Sequence, residues 1–173
     1  MTTENTPSST PGELVTTRIF NAPRRLVFQA WTHPTHLAQW WGPHGFTNPR
    51  CEWDIRPGGK IHVDMRRPDG TIYPMFGTYR EVIDPERLVF TSGALDPHGN
   101  PLFELLNTVT FTDEPDGKTK LTLTTHLLSV TEEARHYLNG HKAGWTQSLE
   151  RFEDYIQQMP NAPTPATPTP PAC

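Results

Sequence analysis

Apolar and polar residues alternate along Ile61, Val63 and Met65 against His62, Asp64 and Arg66, and again along Leu121, Leu123, Thr125 and Leu127 against Thr122, Thr124 and His126. This period of two marks strands with one buried face. Strand-like runs cover Leu14–Asn21, Cys51–Arg56, Lys60–Arg67, Thr71–Ile83, Arg87–Ala94, Phe103–Thr112 and Lys118–Leu128. Turn residues separate the last six: Pro57-Gly58-Gly59, Pro68-Asp69-Gly70, Asp84-Pro85-Glu86, Asp96 to Asn100 and Asp113 to Gly117. Proline removes a ladder donor in these segments and glycine admits a positive φ.

The period changes in three places. Leu26, Val27, Ala30 and Trp31 fall at helical spacing behind Ala22-Pro23, where a proline at the helix start loses no hydrogen bond. A second short helix runs from near Pro34 to Trp41, turns Leu37, Trp40 and Trp41 inward, and is stopped by Gly42-Pro43. Adjacent tryptophans bury much apolar area for so short a segment, which predicts a lid over one end of a sheet. From Thr131 to about Met159, the residues Leu138, Trp145, Leu149, Phe152, Ile156 and Met159 form one stripe, with Thr131 opening the helix and Glu132 and Glu133 in its first turn. Gly140 and Gly144 interrupt it, each at a cost of about 1 kcal/mol relative to alanine in a helix interior. A break near Asn139-Gly140 accounts for the first. Gly144 either belongs to the same irregularity or leaves room for a backbone or ligand to approach.

This order predicts an α+β domain over residues 13–159: a curved seven-stranded antiparallel sheet around a long C-terminal helix, with two short helices after the first strand. Only the long amphipathic helix can cover the sheet's apolar face, and a curved sheet gripping one helix leaves space that side chains need not fill. Residues 1–12 and the Thr/Pro-rich 160–173 are expected to be disordered.

Charge and cysteine content exclude several classes. A net charge of −4, with only the pairs Arg24-Arg25 and Arg66-Arg67, gives no basic stripe for nucleic acid. No apolar run approaches the ~18 residues of a membrane span, and the N-terminus lacks the charged and apolar regions of a secretory signal. Cys51 stands alone in the patterned part and Cys173 ends the chain. That predicts no disulfide framework, a core-packing role for Cys51 and a cytoplasmic location.

Eight histidines raise the question of metal. A proline separates His33 from His36, and His136 and His141 are five apart, on different helix faces. With no HExxH and no paired cysteines, no metal or other cofactor is expected and the histidines read as surface residues. Ser92, Ser129 and Ser148 lack a nucleophile-elbow pattern, and no helix follows Gly58-Gly59 to make a phosphate loop. By alternation, Trp53, Met65, Tyr79, Phe90, Leu105, Asn107, Val109 and Thr125 face the concave side, joined by His141, Gly144 and Trp145 from the helix and by Trp40 and Trp41 from the lid. Asn107 interrupts an apolar strand: it is either a strand-edge residue facing solvent or a buried amide needing a partner. His141 is either a helix-face histidine or an acid–base group.

The segments Arg18–Pro23, Val27–Thr32, Leu37-Ala38-Gln39-Trp40-Trp41-Gly42-Pro43 and Arg56-Pro57-Gly58-Gly59 resemble the AHSA-type branch of the SRPBCC superfamily. So do Gly77–Val82, Pro85-Glu86-Arg87-Leu88, Thr119–Leu123 and Gly144-Trp145. The likeness spans about residues 14–157, in order. The branch is related to the C-terminal domain of the activator of the ninety-kilodalton heat-shock chaperone's ATPase and, more widely, to START lipid-transfer domains. The resemblance implies a helix-grip fold with a hydrophobic cavity. Relatives bind lipids, hormones or polyketides, some are cyclases, one group confers enediyne resistance and others assist a chaperone. Their wall positions differ, so no catalytic residue carries over. The eukaryotic activator has a further N-terminal domain for which this sequence has no room, which sets a chaperone contact behind ligand binding.

The expected function is therefore binding of a small hydrophobic or aromatic molecule, as carrier or sensor, with no recognisable catalytic centre. The alternatives are a polyketide-type cyclase or hydrolase using Asn107, Tyr79 or His141, and a chaperone-interacting module.

Overall fold

The strands predicted by alternation form a single antiparallel sheet in the computed structural model, which describes residues 13–136 and 140–159. The segments 1–12 and 160–173 and the stripe residue Leu138 lie outside the described residues. The elements are β1 (Glu13–Phe20), α1 (Arg24–Thr32), α2 (Pro34–Trp40), β2 (Thr47–Trp53), β3 (Lys60–Arg66), β4 (Ile72–Ile83), β5 (Arg87–Leu95), β6 (Pro101–Glu114), β7 (Lys118–Val130) and α3 (His141–Gln158). The sheet order is β1-β7-β6-β5-β4-β3-β2, so β2 to β7 meander and β1 closes the far edge against β7.

The buried side of α3 presents Trp145, Ser148, Leu149, Phe152 and Ile156, the stripe that the 3-and-4 spacing predicts. Trp31 of α1 is the hub of the core, stacked on Trp145 with ring centroids 6.1 Å apart, 4.7 Å from Trp40 and edge-on to Phe152 and Phe111. Phe20 at the end of β1 meets Phe152 edge-on at 5.0 Å. Aromatic pairs in these geometries add to the area they bury, and here they join the helices to the sheet.

Three local features depart from the sequence expectation. β2 begins at Thr47 rather than Cys51; the buried Asn48 donates through Nδ2 to the carbonyls of Ala38 and Trp41, drawing the strand start under α2. Pro49 falls where the register shifts between Thr47 and Arg50, on an edge strand where a missing donor is tolerated. α3 begins at His141, with Gly140 as its N-cap, and Thr131 instead precedes a single 3-10 turn without capping it. His36 is buried rather than solvated, paired through Nδ1 with the Tyr155 hydroxyl. No helix of the described residues is long and apolar enough to cross a membrane.

Candidate functional site

The sheet's curvature and the α3 N-terminal turns leave a pocket of about 170 Å³ between them. Its sheet wall comes from the concave positions of β3 to β6: Met65, Tyr73, Met75, Ser92, Ala94 and Leu105. Trp41, Gly42 and Pro43 form the lid wall, and His141, Gly144, Trp145 and Ser148 the helix wall. Gly144 opens that wall: a Cβ built on it meets only Pro43 Cγ, at 4.0 Å. The lid is held from below by Arg151 of α3, whose Nη1 donates to the carbonyls of Trp41, Gly42 and Pro43 at 3.0 Å each, and whose Nη2 donates to Gln39 O at 3.1 Å. These are carbonyls at and beyond the end of α2, which has too few turns to satisfy them itself.

Polar groups on the wall and directly behind it are few. Asn107, fully buried, donates from Nδ2 to Ser92 Oγ at 2.8 Å and to Phe90 O at 3.3 Å. The Phe90 carbonyl can only accept, so it fixes which end of the amide faces it, and Ser92 Oγ is therefore an acceptor from Asn107. Among the described residues, Asn107 Oδ1 and His141 Nε2 are buried with no hydrogen-bond partner. Burial pulls the His141 imidazole down to about 4, so it is neutral near pH 7. Ser148 Oγ donates back to Gly144 O. Among the described residues, no Asp, Glu, Lys or Arg lines the pocket, and no cluster of His, Cys, Asp or Glu could hold a metal ion.

Of the residues singled out from sequence, Trp41, Met65, Leu105, His141, Gly144 and Trp145 are brought together on the pocket wall. The others lie elsewhere. Trp40 is fully buried in the core with Nε1 donating to Ala30 O at 3.0 Å. Trp53 packs edge-on behind Trp41, with centroids 4.8 Å apart. Tyr79 and Phe90 pack on each other at 5.8 Å; burial raises the Tyr79 phenol above its ordinary value, and neither residue lines the pocket. Asn107 and Thr125 are register partners on β6 and β7, behind the wall; Asn107 is the buried amide, not the solvent-facing one. Ser92, which the sequence presents only as a serine without a nucleophile-elbow pattern, is also a wall residue. The signal that finds it is its place two residues beyond Phe90 on the same face. Gly42, Pro43, Tyr73 and Met75 follow from the same alternation and from the lid motif.

A family model for Activator of Hsp90 ATPase homolog 1-like proteins matches residues 21–157, and the chain belongs to that family. A Mycobacterium smegmatis protein of known structure is 27% identical, with 86% of this chain and 93% of that one covered at a TM-score of 0.72. An AHSA1 protein from Silicibacter pomeroyi is 25% identical over 84% of this chain and 97% of its own, at 0.71. A solution structure from Arthrobacter aurescens, at 24% identity, 90% and 91% coverage and a TM-score of 0.76, shares the fold. No curated protein matches the chain significantly.

Proposed function

We propose that this chain binds a small hydrophobic or aromatic molecule between the curved sheet and α3, as a carrier or sensor. Family membership supports a ligand-binding or chaperone-related module; the apolar pocket, with its wall opened at Gly144, favours the first. Its volume decides the size of the occupant. About 170 Å³ is near the ~150 Å³ of an engineered apolar cavity that admits benzene, and below the ~300–1,000 Å³ of drug-sized sites. One ring with a short substituent fits; a long acyl chain does not.

The test is native mass spectrometry of freshly purified protein, followed by titration with single-ring aromatics under thermal melting. A ligand that binds only the folded chain raises the melting temperature by mass action and, lying against Trp41 and Trp145, changes tryptophan emission. A protein that responds to none of a broad set of such compounds overturns the reading in favour of the chaperone-related module.

A further inference from the structure

Two polar side chains of the pocket wall, Ser92 and His141, keep unused hydrogen-bonding capacity among the described residues. Ser92 Oγ already accepts from Asn107 Nδ2. A serine hydroxyl has one hydrogen to donate, and among the described residues none accepts it. Asn107 is itself fixed from behind by the Phe90 carbonyl, so the pair is a rigid donor in an apolar wall. On the helix side, His141 Nε2 is buried and has no partner among the described residues. Buried polar groups left unpaired are costly, and a ligand oxygen would relieve them.

From this geometry we infer that the pocket takes an uncharged single-ring compound bearing a hydroxyl or carbonyl oxygen, that Ser92 donates to that oxygen, and that Asn107 positions Ser92. The inference rests on the proposed ligand pocket and narrows its occupant. Carboxylate-bearing molecules are disfavoured, because among the described residues no cation lines the pocket and a carboxylate stripped of water without a partner is strongly destabilised. The neutral imidazole of His141 offers no compensating positive charge near pH 7. Plain hydrocarbons leave the Ser92 hydroxyl and His141 Nε2 unsatisfied.

Phenol, toluene and benzoate, titrated calorimetrically at pH 7, separate these cases. A pocket without a polar determinant prefers toluene, since burying an unpaired hydroxyl costs free energy. The expected result reverses that order: phenol binds at least as tightly as toluene, and benzoate most weakly. Ser92→Ala should then weaken phenol roughly fivefold to tenfold, the worth of one hydrogen bond, and leave toluene unchanged. Asn107→Asp supplies a second variant, since a carboxyl group there removes the amide donor to Ser92 and should also erode the phenol preference. Toluene binding tighter than phenol in the wild-type protein overturns the inference while leaving the pocket reading intact, as does a folded Ser92→Ala protein that keeps its phenol preference. Benzoate binding tightest overturns the neutral-ligand assignment. If none of the three binds, the pocket reading falls and this inference with it.

Discussion

Arg151 on α3 holds Trp41 in place: its Nη1 lies 3.0 Å from the Trp41 carbonyl, and the same nitrogen reaches the carbonyls of Gly42 and Pro43. Carbonyls at and just beyond the end of a short helix are thereby satisfied by a side chain more than a hundred residues away, which ties the lid to the helix that forms the opposite wall.

Arg151→Leu should therefore loosen the lid. Hydrogen bonds to a charged group are worth about 1.5–3 kcal/mol, and a loss near 2 kcal/mol is expected in urea unfolding, with an unchanged m-value if the denatured state is unaffected. Arg151→Lys should recover only part, because an ammonium cannot match the planar fork that reaches both Gln39 and the lid carbonyls. A Leu variant as stable as wild type would show the clamp to be incidental.

Trp40 and Trp41 are neighbours with different roles. Trp40 is fully buried, bonded to Ala30 O and packed on Trp31 and Phe152, so Trp40→Ala should cost about 3–5 kcal/mol, a large share of a domain's stability. Trp41 also faces the pocket; Trp41→Phe keeps most of the packing and should reduce ligand binding more than it lowers the melting temperature. Equal effects of the two substitutions on binding and stability would refute this division.

Acid should weaken the fold through two histidines. In the folded chain burial lowers the His141 pKa from 6.5 to about 4, and burial, then the charge of His33, lowers that of His36. Groups whose folded values are depressed bind protons more readily when unfolded, so stability is intact above about pH 6.5 and falls as the pH drops toward the folded values. For His141 the loss reaches about 3 kcal/mol by pH 4. Urea unfolding from pH 7.5 to pH 4.5 checks this, and His141→Phe should flatten part of the slope. An unchanged pH profile in that variant would place the acid sensitivity elsewhere.

The sheet was legible because strands such as β3 and β7 bury every second residue between turn residues, which is why alternation places Ile61, Val63, Leu121 and Leu123 inward, where they are buried. The break at Gly140 was legible from glycine in a helical stripe. The pocket was legible only in part. Alternation says which face a residue takes but not how deep it sits, so Phe90, Tyr79 and Thr125 share a face with Ser92 and Leu105 yet lie in the filled core. Nor does a local pattern reveal that Asn107 and Ser92 meet diagonally across two strands, or that Tyr155 meets His36 from another element. Those are tertiary pairings, fixed by register and helix placement.

Gly144 offers the most direct test of where a ligand sits. Its Cβ space is open apart from Pro43, its φ is not in the left-handed region, and it lies inside α3. A glycine there costs up to about 1 kcal/mol relative to alanine, with no backbone requirement to account for it. Gly144→Ala should therefore fold normally and melt at a higher temperature, with binding slightly reduced. Gly144→Leu projects four carbons toward Pro43 and the pocket; it should remain folded, because the space exists, but lose most of its affinity for single-ring ligands. Circular dichroism establishes folding before binding is measured. A folded Gly144→Leu protein with wild-type affinity would place the ligand away from this pocket, whereas an Ala variant that melts lower would mean that the small side chain is needed for packing rather than for ligand space.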